Sequence, residues 1–119
     1  MAKLIEMDEN VNFSSQLEED VGPIVFMNKF TVKPQDPDQF LKAWEKDATY
    51  FKSQPRFISA QLHKTLVPVV YSLTTPFGSH FRKAVHKSDF QTWLSNYPGS
   101  TIISPHIFKK VAVPGICVE

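Results

Sequence analysis

Hydrophobic and polar positions repeat with two different periods along this chain, and the changes of period place its elements. From Pro23 to Lys33 the period is two. Ile24, Phe26, Asn28, Phe30 and Val32 share one parity, and Val25, Met27, Lys29 and Thr31 the other, as in a strand with unlike faces. From Asp36 the period is helical: Phe40, Leu41, Trp44, Ala48 and Phe51 recur with Lys42, Glu45, Lys46 and Lys52 between them. Asp36 stands where a carboxylate accepts from free N–H groups of a first turn. Pro37 takes the first helical position, where its missing N–H costs nothing, and Asp38 puts negative charge at the positive helix end. Pro55 cannot continue a helix, and alternation resumes from Phe57 to Lys64, with Ile58, Ala60 and Leu62 against Ser59, Gln61 and His63.

The second half is less regular. Residues 66–73 suit an extra strand, but Pro68 predicts an edge or irregular piece, and Thr74 to His80, with Pro76 and Gly78, reads as a loop. Phe81 to His86 alternates as a strand, with Arg82, Ala84 and His86 on one face. Ser88 or Asp89 caps a second helix carrying Phe90, Trp93, Leu94 and Tyr97 at helical spacing, stopped by Pro98 and Gly99. Thr101 to Ser104 is a link, and Ile107 to Val113 the last strand. The order β-α-β-β-α-β predicts an α+β, ferredoxin-like fold: an antiparallel sheet with both helices on one face. A sheet covered on one side leaves the other needing a partner, which predicts a homodimer.

Charge divides the chain into an acidic N-terminal arm, residues 1–22, and a body, residues 23–119. Six acidic residues against Lys3 leave the arm at a formal −5 and the rest at +6, for a net +1. Val11, Phe13 and Leu17 give the arm something apolar to dock. A net charge this small offers no electrostatic footprint for nucleic acid or a membrane surface. A lone cysteine, Cys117, makes no internal disulfide, and acidic residues occupy the place of a signal peptide's apolar core; together these predict a cytoplasmic protein. Ten Phe, two Trp and three Tyr are rich for 119 residues; most belong in the core, and a surplus of this kind also suits the lining of an apolar pocket for a flat ligand. No CxxC, HExxH, phosphate loop or GxSxG motif is present, so no metal or cofactor is predicted.

The stretch VFMNKFTVKPQDPDQFLKAWEKDATYFKSQPRFISAQLHK resembles the antibiotic biosynthesis monooxygenase (ABM) family: a strand, a long helix containing a Trp, a QPGF-like turn and a strand ending in Leu-His. Here the turn is QPRF, with Arg56 at the usual glycine. The resemblance covers roughly residues 23–114 and is weaker in the second half. It implies that two sheets pair face to face as a dimeric α/β barrel, and a cofactor-independent monooxygenase acting on an aromatic or polyketide-derived phenol. Many relatives carry Asn and, four residues on, Trp on the third strand; matching FRKAVHKSD to that pattern puts Arg82 at the Asn and His86 at the Trp. Haem-degrading relatives carry an Asn on the first strand, as Asn28 does, but also a Trp on the third strand and a His on the second helix. His86 stands at that Trp, and residues 88–97 contain no His, so haem degradation is disfavoured.

On this reading the catalytic candidates are His86 as base, Arg82 as stabiliser of a phenolate or enolate oxygen, and Asn28 as its orienter. His106, His63, Tyr97 and Trp44 are the expected contacts to a small aromatic molecule. Two alternatives remain. One is a non-redox isomerase, cyclase or decarboxylase on the same fold, to which acid–base groups at these positions are suited. The other is a non-catalytic dimeric binding or stress-response module.

Overall fold

The computed structural model describes residues 2–19, 23–65, 85, 94–109 and 111–117, and the backbone of 70–77. Its elements are β1 (Lys3–Leu4), α1 (Phe13–Leu17), β2 (Ile24–Thr31), α2 (Pro37–Lys52), β3 (Gln61–Lys64), β4 (Val70–Phe77) and β5 (Ile102–Phe108). They form one sheet in the order β1-β5-β2-β4-β3. Leaving aside β1, every pairing is antiparallel and the order is the ferredoxin-like one. The arm adds the fifth strand: Lys3 and Leu4 run parallel to Ile102 and Ile103.

The alternation read in β2 is realised. Ile24, Phe26, Asn28 and Phe30 are buried, while Lys29 and Thr31 are exposed and Val25 and Met27 half-buried. Helix α2 lies over the buried row through Phe40, whose ring meets that of Phe30 edge-on at 4.9 Å. Helix α1 covers the same face further along, with the rings of Phe13 and Phe26 5.7 Å apart. Asn12 caps α1 by accepting from the Ser15 N–H at 2.8 Å. Phe13 and Leu17 dock the arm as expected, whereas Val11 stays exposed.

Helix α2 begins at Pro37 with Asp38 in its first turn, but Asp36 makes no side-chain cap. Its Oδ2 accepts instead from the Ser100 hydroxyl at 2.7 Å, a bond across 64 residues that ties the helix start to the approach to β5. The centre of the helix-to-sheet contact is Phe40, fully buried, rather than the half-buried Trp44. At the far end the Phe57 N–H donates to the Gln54 carbonyl, closing a turn, and Arg56 has φ +68°. Pro55 holds the preceding φ negative, so this is the type II arrangement, whose third residue needs a positive φ. That requirement accounts for the glycine in the QPGF-like pattern.

Three strand boundaries differ from expectation. β3 begins at Gln61, not Phe57; Phe57 anchors in the core while Ile58 is 63% exposed. The third strand of the ferredoxin order is Val70–Phe77, which includes residues read as loop. β3 pairs only with Tyr71–Thr74, so one side of β4 is open at Pro76, where a missing N–H is tolerated. The last strand runs Ile102–Phe108 across Pro105 for a similar reason, since β1 stops at Ile103. Of the strand expected over Phe81–His86, Val85 alone lies among the described residues, and it is helical. The cap expected at Ser88 or Asp89 lies outside the described residues.

Beyond β1 the open edge of β5 is closed by a side chain. The Gln16 amide accepts from the Ile107 N–H at 3.0 Å and donates to the Ile107 carbonyl at 2.9 Å, as a neighbouring strand would.

Candidate functional site

Two apolar clusters lie between the helices and the sheet. One contains Phe30, Val32, Phe40, Ala43, Tyr97 and Ile103, with Trp44 and Leu62 against it. The other contains Phe13, Leu17, Ile24, Phe26 and Val85, with Phe51, Phe57 and Ile107. β2 contributes Phe30 to the first and Phe26 to the second, and Asn28 falls between them. α2 contributes Phe40 and Trp44 to the first and Phe51 to the second, and Asp47 falls between them. Asn28 is about 7 Å along the strand from Phe30, and Asp47 about 10 Å along the helix from Phe40 and about 6 Å from Phe51. A carboxyl on the helix and an amide on the strand therefore occupy the seam between the clusters.

These polar groups are short of partners. Asn28 is fully buried, and neither its Oδ1 nor its Nδ2 is hydrogen-bonded. Trp44 Nε1 and Asp47 Oδ2 are likewise buried without a partner. Each group left unpaired costs about 1–3 kcal/mol, and apolar residues of similar size avoid that cost. Asn28, Trp44 and Asp47 are thus buried polar groups whose hydrogen-bonding capacity is unused among the described residues.

Burial pushes the Asp47 carboxyl up to about 7, against a hydrogen bond from Tyr97 that lowers it. Burial, the Asp47 charge and the same hydrogen bond together push the Tyr97 hydroxyl far above its ordinary range, so it stays a donor. The Tyr97 ring is stacked in place, 5.4 Å from Phe30 and 5.6 Å from Phe40.

The expected site residues separate by face. Trp44 and Tyr97 share the first cluster, and Asn28 lies on the same face of β2 as Phe30. His106 and His63 do not join them. His106 is in register with Met27, whereas its neighbour Pro105 is in register with Asn28, so His106 projects from the opposite face. There its ring lies 5.0 Å from that of Phe108, and its Nε2 is 3.4 Å from Gln16 Nε2. His63 alternates with Leu62, which packs against the first cluster, and is exposed on the face away from it. Arg82 and His86 lie outside the described residues. The third strand of the sheet among the described residues is Val70–Phe77.

Asp47 is the site residue that sequence reading passed over. Its signal was present: Phe40, Ala43, Trp44, Asp47 and Phe51 form one helical stripe, and a carboxylate within an apolar stripe is anomalous. Ala48, on the adjacent position, completed the stripe well enough to hide it. Among the described residues no cluster of His, Cys, Asp and Glu could hold a metal ion, and no helix is long and apolar enough to cross a membrane.

No family model matches the sequence, and no curated protein shows significant sequence similarity to it. Solved structures do match the fold. SnoaB, a cofactor-independent oxygenase from Streptomyces nogalater, superimposes with a TM-score of 0.68 at 20% identity, covering 80% of this chain and 99% of SnoaB. A Bordetella bronchiseptica protein assigned to the antibiotic biosynthesis monooxygenases gives 0.58 at 20% identity, over 76% of this chain and 99% of its own. Rv0793 from Mycobacterium tuberculosis gives 0.59 at 10% identity, over 78% and 99%.

Proposed function

For a chain with the fold of the antibiotic biosynthesis monooxygenases, we propose a cofactor-independent monooxygenase acting on a flat phenolic or anthrone-like substrate held between α2 and the sheet. The observation that carries this reading is Asn28, an amide with neither polar atom partnered at the centre of an otherwise apolar row. A primary amide offers one acceptor and two donors in a plane, which suits a phenol or carbonyl oxygen at the rim of an aromatic ring system. The aromatic residues to either side supply ring surface and keep out water.

The chemistry asks little of the protein. An anthrone methylene, once deprotonated, is electron-rich enough to reduce dioxygen directly. Overall the CH2 group and O2 give a ketone and water, with substrate electrons alone accounting for the reduction. The site has to bind the ring system, remove a proton and stabilise the enolate oxygen. Arg82 and His86 enter this proposal only through the roles the resemblance implies. The homodimer is part of it too, formed through the sheet face that carries Val25, Met27, Ile102 and Phe108, since both α1 and α2 cover the other face.

Oxygen uptake by the purified protein, with a panel of anthrones and hydroquinones and no added flavin or metal, tests the reading. Turnover is expected from the native protein, and a loss of about 100-fold in Asn28→Leu, a change that fills the same space without polar atoms. That variant should melt no lower than the native protein, because the unpaired amide is gone. No uptake with any of the panel, or full activity in the leucine variant, removes the proposal. A second reading, a non-redox isomerase, cyclase or decarboxylase, is favoured by the carboxyl at the seam; product formed without oxygen uptake selects it.

A further inference from the structure

We propose that Asp47 is the proton acceptor of this site, taking the acidic proton of a phenolic or anthrone-like ligand onto Oδ2. This inference rests on the reading of the seam as a substrate site, but not on the oxygen chemistry that follows. The sequence resemblance points to His86 for the step; the described structure points to the helix.

The argument begins with position. Asp47 lies on the inner stripe of α2, one turn after Trp44 and one before Phe51, where the helix crosses from one apolar cluster to the other. Below it, Asn28 marks the same crossing on β2. A ligand oxygen bound by the amide thus sits under the helix at the level of the carboxyl. Oδ2 is buried and has no partner among the described residues, so a lone pair is available there. Tyr97, whose ring packs against those of Phe30 and Phe40, is the polar neighbour of the carboxyl. The arrangement is an acid–base group, a phenol hydroxyl as its polar neighbour and an amide on the strand beneath the helix.

The chemistry fits that position. A base works best when its pKa lies near the working pH, and the burial that raises the Asp47 carboxyl to about 7 makes it a far better proton acceptor than an exposed aspartate. In the step proposed, the ligand O–H or benzylic C–H bond breaks, the proton bonds to Oδ2, and the electron pair stays on the ligand as phenolate or enolate. Protonation leaves the carboxyl neutral, its cheaper state when buried. Nothing is oxidised or reduced in this step, so it can be observed without oxygen. In the presence of oxygen the proton is returned to the reduced oxygen when water forms.

The experiment uses the full chain and dithranol, a dihydroxyanthrone, as probe under anaerobic conditions at neutral pH, reading the visible absorbance of its enolate. The native protein should bind dithranol and show the enolate band. Asp47→Asn should bind with affinity within about threefold and show no band, and Asp47→Glu should recover part of it. In air, the rise of turnover with pH through about 7 should disappear in Asp47→Asn, with a loss of about 100-fold. An undiminished band in Asp47→Asn overturns the proposal. So does a band lost in His86→Phe but kept in Asp47→Asn, and so does a native protein that does not bind dithranol. Enolate formation with no oxygen uptake leaves Asp47 as the acceptor and removes the monooxygenase reading alone.

Discussion

Arg56 and Asp47 each adopt a state that costs free energy, and each is open to a direct test. Arg56 holds the positive-φ position of the QPRF turn. A non-glycine residue there costs about 1–2 kcal/mol, partly offset because glycine is more flexible in the unfolded chain. Arg56→Gly should therefore raise stability by roughly 0.5–1 kcal/mol, seen as a higher denaturant midpoint at unchanged m-value. Asp47 carries a folded-state pKa above its unfolded one. Between about pH 4 and pH 7 the unfolded chain loses this proton while the folded chain keeps it, so stability falls as pH rises through that window and levels off above it. Asp47→Asn removes the effect. The variant should match the native protein near pH 4 and exceed it by roughly 2–4 kcal/mol at pH 8, an upper range because the carboxyl is not fully buried. Urea titrations of both proteins at the two pH values decide it, and an equal difference at each would mean that Asp47 ionises normally.

At the scale of elements, α2 joins the two halves of the interior. Its first turns anchor through Phe40, which touches both Phe30 of β2 and Tyr97, and its last turn through Phe51 in the second cluster. Phe40→Ala empties the best-packed of these contacts and should cost about 3–5 kcal/mol. Trp44→Ala should cost less, because the ring is only half-buried and its unpaired Nε1 is removed with it. Chemical denaturation of the two variants ranks them, and a larger loss at Trp44 would reverse the assignment. The short helix α1 has a different role. Its Gln16 occupies the edge of β5 where β1 has ended, so the acidic arm completes the sheet twice, once by backbone and once by side chain.

At the scale of the molecule, the sheet has one face under the helices and one with Val25, Met27 and Ile102 half-buried and Phe108 42% exposed. His106 and His63 belong to this second face, where in the proposed homodimer they lie at or near the contact between subunits rather than in the substrate site. Apolar surface of this kind is normally covered. Light scattering at micromolar concentration should report twice the 13.6 kDa chain mass. Replacing Met27 by Lys should shift the protein towards monomer, since a charge opposed to its own symmetry mate disfavours the contact. A native protein that runs as a monomer would exclude the proposed assembly.

The sequence alone determined what depends on neighbours along the chain: the two-sided β2, the amphipathic α2 with Pro37 at its start, the turn at Pro55, and the ferredoxin-like class that follows from their order. It also exposed Asn28, because an amide breaking an apolar alternation is visible in one dimension. Pairing was not legible in the same way. Pro76 read as part of a loop and Pro105 fell just before the expected last strand, whereas the short β3 and β1 beside them leave room for a proline in each strand. Asp36 looked like a cap until the fold brought Ser100 to it. Which face His106 and His63 take depends on register, and a shift of one residue inverts it. Asp47 became a candidate only when α2 was laid across β2. A carboxylate on a helix is ordinary until burial removes its water, and burial belongs to the tertiary structure.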